Sequence, residues 1–173
     1  MEQLSAVAFA LSLFGGMHDL LTRRIPNWFT FPAMLAGLIA QGYFLGFSGL
    51  VDGAGGLALA MLCFFPMYAL GYMGAGDVKL LMVVGAWMGV RPCLHVMLAS
   101  IFLGAIFALG EVIYRGRLLA VVKNTYSFLR SFAVPALSVE KLKVDERRKF
   151  AFGVCIAGAV ALVIYLEQSG RLV

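Results

Sequence analysis

Six apolar runs divided by short polar breaks leave this chain few ways to fold. They lie at about Leu4–Leu21, Trp28–Phe47, Ala54–Tyr72, Val78–Val90, Cys93–Tyr114 and Phe150–Leu166. A helix crossing the hydrocarbon core of a bilayer needs about 20 apolar residues, with a range of roughly 17–25. In lipid the backbone must satisfy its own hydrogen bonds, and a helix does so within one segment. The pattern therefore predicts an all-α integral membrane protein with six transmembrane helices. The fourth run is short, and re-entry without crossing is the competing reading. Composition excludes the soluble alternative: 62% of residues are hydrophobic and 13% charged. Soluble domains carry roughly 45–50% apolar and about 25% charged residues.

Charge placement orients the helices. Arg23 and Arg24 follow the first run, and Lys79 opens the fourth. A basic stretch from Arg115 to Lys149 follows the fifth. If all six runs cross, these residues share one face, and only Arg91 and Arg171 lie opposite. The positive-inside rule selects that arrangement, with the N-terminus outside and the basic loops cytoplasmic. The net charge of +5 thus belongs to membrane topology and not to a nucleic-acid partner. One membrane-embedded domain is expected over residues 1–173. Within it, residues 115–149 form a basic cytoplasmic loop. Apolar and basic residues alternate there at roughly a helical period, as in an amphipathic segment lying on anionic lipid. The first run has no basic n-region and no small-residue cleavage site, so it reads as a retained helix. Cys63, Cys93 and Cys155 are scattered in or beside apolar runs without CxxC spacing, and His18 and His95 stand apart from them. No zinc site or disulfide framework is expected.

In this topology Asp19 and Asp77 fall at the cytoplasmic ends of helices one and four. Ionisable groups in or near membrane spans are functional candidates. Each also has a plain structural reading. Asp77 could cap the helix that follows, worth about 1 kcal/mol, and Asp19 could pair with Arg23 one turn on. Asp52, on the outer side, is assigned capping alone. The glycines of Gly74-Ala75-Gly76-Asp77 separate the cases, because a capping residue does not need two of them. Without Cβ atoms there, an extended peptide backbone could approach the carboxylate. Two neighbouring acids at helix ends of opposite field suit general acid–base chemistry. One activates water while the other protonates the reacting carbonyl, which describes an aspartic peptidase. A proton-coupled transporter component using the same acids as relay sites is the alternative. It would show an inverted repeat, and none is evident.

The first block, Asp19-Leu20-Leu21-Thr22-Arg23-Arg24-Ile25-Pro26-Asn27, and the second, Gly74-Ala75-Gly76-Asp77-Val78-Lys79-Leu80, together resemble the type IV prepilin peptidases. These are GxGD membrane aspartic peptidases. The resemblance covers helices one to five. It implies Asp19 and Asp77 as the catalytic pair, no cofactor and no metal. It also implies prepilin or pseudopilin substrates, cut between a basic leader and an apolar helix at the cytoplasmic face of the bacterial inner membrane. Larger members carry an N-terminal domain with paired CxxC motifs and methylate the new N-terminus. This chain resembles instead the short, peptidase-only Tad/Flp branch, so methyl transfer is not expected.

Gly74, Gly76, Lys79, Pro26 and Asn27 are expected to shape the site. Pro26 would open a turn or the second helix, and Asn27 would cap or brace the first loop. Lys79 would snorkel to headgroups or bias the acids. Glu111 could pair with Lys79 or Arg115. His18 reads as an interfacial side chain, and Trp28 and Trp87 as opposite aromatic belts. Gly85 and Gly89 form a GxxxG packing motif.

Overall fold

The computed structural model describes residues 2–22, 25–71, 73–114 and 152–171. Among these residues the regular structure is helical throughout: α1 (Glu2–Thr22), α2 (Asn27–Ala69), α3 (Ala75–Met88), α4 (Val90–Tyr114) and α5 (Phe152–Gln168). The chain divides into two compact units, Met1–Leu103 with Phe150–Val173, and Gly104–Lys149. The first holds α1, α2, α3, α5 and the start of α4. The described part of the second is the remainder of α4. Arg23, Arg24 and the basic segment 115–149 lie outside the described residues.

Segments Gln3–Thr22, Asn27–Ala69 and Val90–Glu111 are long and apolar enough to cross a membrane, and Phe152–Gln168 is a shorter apolar helix. Large side chains such as Ile39, Leu62, Phe102 and Tyr165 point outward. Such a surface is stable against lipid and not against water. The chain is a helical membrane protein.

α2 is about twice the length of one span, and a turn at Gly46 folds it into two arms. Gly46 has φ 70° and ψ −159°, a backbone region essentially confined to glycine. Leu38 and Gly53 would stand about 22 Å apart along a straight helix. Here a Cβ on Gly53 would lie 3.4 Å from Leu38 Cδ2 and 3.1 Å from Gln41 Cγ. The second and third apolar runs therefore form one hairpin. Its turn is at Gly46, just before the Ser48–Gly53 break between the two runs, because backbone freedom and not polarity sets the reversal.

α3 is the innermost helix. Leu80, Leu81, Val83 and Val84 are fully buried. At 14 residues it rises about 21 Å, short of the roughly 30 Å core. An all-round apolar helix of that length belongs inside a bundle. The second arm of α2 meets it backbone to backbone: a Cβ on Gly85 would collide with the Gly56 carbonyl, and one on Gly56 with those of Gly85 and Gly89. Gly85 thus packs as its motif predicts. Gly89 packs against Gly56 as well, and it also ends α3 at φ 82°.

The first arm of α2 runs parallel to α3 and is stitched to it. Trp87 Nε1 donates to the Ala33 carbonyl at 2.8 Å, and Gln41 Nε2 donates to the Trp87 carbonyl at 2.9 Å. Trp87 is buried, with its ring over the bare face of Gly37. It is a core residue and not part of an aromatic belt, since glycine opposite leaves room for an indole. Trp28 is exposed as expected. Asp52 caps a different helix from the one that follows it in sequence. Its Oδ1 accepts from Val90 N–H at 3.2 Å, at the start of α4, where a carboxylate satisfies an unpaired amide and the helix dipole.

Nothing lies within 4 Å of a Cβ added at Gly46, so Gly46→Ala tests backbone strain alone. We expect a loss of about 1–3 kcal/mol in thermal or denaturant unfolding in detergent. Gly110→Ala, equally unobstructed but within a helix, should be neutral or stabilising by up to about 1 kcal/mol. Equal effects at both positions would refute the turn.

Candidate active site

Asp19 lies in the last turn of α1 and Asp77 in the first turn of α3. Both are largely buried, 9% and 7% exposed. The helices are antiparallel: Leu80 fills the space over Gly15, while Ile25, just past α1, sits against Gly76. From the Gly15–Leu80 contact, Asp19 lies about 6 Å further along α1 and Asp77 about 4.5 Å back along α3. Both steps lead toward the same end of the bundle. Helical register thus brings the two acids, far apart in sequence, to one level.

Asp77 is the third residue of its helix, and Gly74, extended at φ −74° and ψ 143°, is the N-cap. A Cβ at Gly74 would lie 3.1 Å from Asp77 Oδ2. The carboxylate therefore folds back over Gly74, toward the amides that open the helix. A Cβ on Gly76 would lie 3.1 Å from Ile25 Cβ and Cγ1. Both missing Cβ atoms thus have neighbours within the protein. Gly74 makes room for the acid itself, and Gly76 for Ile25.

α5 forms the wall beside Asp19. A Cβ on Gly153 would stand 3.3 Å from Asp19 Oδ2 and 3.2 Å from Gly16 Cα. Two residues on, Cys155 is buried in the same turn. The first turn of α5 thus adjoins Asp19. Sequence reasoning missed Gly16, Ile25, Gly153 and Cys155. Gly153 and the buried Ala157 have small-xxx-small spacing, which was the available signal.

Of the expected shaping residues, Asn27 and Lys79 meet directly: Lys79 Nζ donates to Asn27 Oδ1 at 2.6 Å. Lys79 also lies 5.7 Å from the Phe31 ring centroid. The half-buried Lys79 is thus held against α2 at the surface. Pro26 is the N-cap of α2, and its carbonyl accepts from Phe29 and Thr30 amides at 3.2 and 3.3 Å. His18 Nδ1 lies 2.8 Å from Thr22 Oγ1, so its ring turns along α1. Glu111 is exposed on α4. Among the described residues no group of three or more His, Cys, Asp and Glu gathers as a metal site would require.

The profile of the type IV leader peptidase family matches residues 6–109 of the chain. Leader peptidase HopD of Salmonella typhimurium is 32% identical over 107 residues. That stretch is 58% of this chain and 66% of HopD, so the chain spans slightly less than two thirds of the relative it matches. No solved structure gives a significant match. The family match includes Asp19, Asp77 and the segments around them, while α5 lies beyond it.

The α1–α5 contact yields a direct test. Gly153→Ala crowds Gly16 and Asp19 together and should destabilise by about 1–3 kcal/mol, as overpacking does. Gly158→Ala would meet only Leu103 Cδ1 at 3.5 Å, an ordinary contact, and should melt near the parent temperature in detergent. A harmless Gly153→Ala would show that α5 stands further from α1.

Proposed function

The chain belongs to the type IV leader peptidase family, and from that premise we propose that it is a prepilin peptidase, an aspartic-type endopeptidase of the bacterial inner membrane. Its substrates in this reading are Tad/Flp-type prepilins or pseudopilins. It cuts them between the basic leader and the apolar helix, at the cytoplasmic face, and so supports pilus assembly or secretion. Asp19 and Asp77 are the catalytic pair. The observation that carries the reading is the burial of these two acids at one end of the bundle, on adjacent antiparallel helices.

The proposed topology has six crossings and the N-terminus outside. The α2 hairpin supports it, because each arm is close to one span in length. The Asp52–Val90 bond supports it further by placing the start of α4 beside the far end of that hairpin. The acids then sit at the cytoplasmic rim. A precursor's apolar helix could lie in lipid there, with its charged leader in water.

Two close carboxyls do not both ionise, so the pair shares one proton. The ionised member takes a proton from water as the water oxygen attacks the scissile carbonyl carbon. The protonated member gives its proton to the carbonyl oxygen. The tetrahedral intermediate then breaks its C–N bond. The departing nitrogen takes the proton gained from water, and a hydroxyl of the intermediate returns one to the second carboxylate. Water is consumed, and both acids end as they began.

Asp19→Asn or Asp77→Asn should abolish leader removal from a co-expressed prepilin while leaving membrane abundance unchanged, as read by immunoblot. Asp52→Asn keeps an acceptor for the α4 amide and should process normally. Cleavage retained in either of the first two variants would remove the assignment.

A further inference from the structure

The segment Ile25-Pro26-Asn27 joins the helix carrying Asp19 to the hairpin that flanks α3. It touches α3 at two points on one face. Ile25, 7% exposed, is seated on Gly76. Asn27 Oδ1 accepts from Lys79 Nζ at 2.6 Å. Gly76 and Lys79 are three residues apart and lie on the same side of the helix. Asp77, the residue after Gly76, lies about 100° around the helix from that face.

The chemistry of the bond is one-sided. Lysine offers only donors, so the asparagine must present its carbonyl oxygen. The acceptor is neutral, so the contact fixes position without cancelling the charge. Asn27 opens α2, and Phe31, one turn on, lies under the same ammonium. Two residues of α2 therefore hold the Lys79 side chain from one side, and Ile25 closes the gap toward α1.

We propose that Asn27 and Lys79 are a positioning pair for the reaction. Their hydrogen bond, with Ile25 against Gly76, fixes the first turn of α3 against the end of α1, and so sets the distance between Asp77 and Asp19. Neither residue touches the reacting atoms. The proposal rests on the reading of Asp19 and Asp77 as the catalytic pair.

The test uses purified full-length protein in detergent and a synthetic precursor with a basic leader and an apolar helix, measuring kcat and KM separately. Asn27→Leu keeps the size but removes the acceptor, and Lys79→Met removes the donor. Each should lower kcat by about 10–100-fold, the scale on which small misplacements of reacting groups act. KM should stay within about twofold, because substrate contacts are unchanged. The double variant should be no slower than the slower single, since both remove one interaction. Asn27→Asp keeps an acceptor and Lys79→Arg a donor, so both should stay within about threefold of the parent kcat.

Parent-level kcat in Asn27→Leu, or single losses that multiply in the double variant, would overturn the pair. If Asn27→Leu does not accumulate, the Lys79 variants decide: equal losses in Lys79→Met and Lys79→Arg would overturn it. Asp19→Asn and Asp77→Asn are assayed alongside. Turnover in those variants would end the catalytic-pair reading itself, whereas inactive acid variants beside a fully active Asn27→Leu would end only the positioning role.

Discussion

Contact between the backbones of Gly56 and Gly85 sets the spacing on which the rest of the bundle depends. Helices in lipid gain little by hiding apolar side chains from one another, because the surroundings are equally apolar. Association rests on close packing and on interhelical hydrogen bonds. A side chain at either glycine would push α2 from α3 and open the Asp52–Val90 and Cys93–Gly56 contacts together. It would also lift the first arm of α2 from Trp87, because the arms are joined at Gly46. The innermost helix is thus located by backbone, and the large side chains are left to face outward.

Hydrogen bonds then fix α3 along its axis. Trp87 and Gln41 tie its far end to the first arm of α2. Lys79 ties the opposite end to the start of the same arm. Packing alone leaves a short apolar helix free to slide, since one leucine-lined level resembles the next. The buried Trp87 and Gln41 bonds lie in an apolar interior with few alternative partners and therefore specify register, and the exposed Lys79–Asn27 bond adds a tie at the other end. Register matters here because Asp77 occupies the first turn of α3. A slide of one residue would move it by about 1.5 Å relative to Asp19.

Much of this was legible in the sequence, and the rest was not for identifiable reasons. Hydropathy marked all the apolar helices, and the two polar blocks marked the acids, because lipid makes any buried carboxylate conspicuous. Asn27 and Lys79 stood out as residues near the acids. Their mutual bond did not, because it depends on the parallel register of α2 and α3. Hydropathy also could not find the turn at Gly46, which is a matter of φ and not of polarity. Trp87 read as interfacial because it lies near the end of a run, and only Gly37 opposite reveals the slot that buries it. Gly153 was passed over because its meaning lies in Gly16 and Asp19, distant in the chain and adjacent in space.

The glycines around the acids share a logic that the motif alone conceals. Gly74 stands at the N-cap, three residues before Asp77, so it lies beneath the carboxylate when that side chain folds back toward the helix start. Gly76 lies on the face that receives Ile25, and Gly153 and Gly16 let α5 close against α1. Each omitted Cβ serves a different neighbour, and each neighbour bears on an acid. The G-x-G-D spacing then follows from helix geometry: one glycine where the acid returns, a second one residue before it where the connector docks. A substitution at any of these positions moves a carboxylate without altering its chemistry. In the proposed mechanism the site is therefore sensitive to groups that take no part in proton transfer, and the walls beside the acids are made largely of backbone.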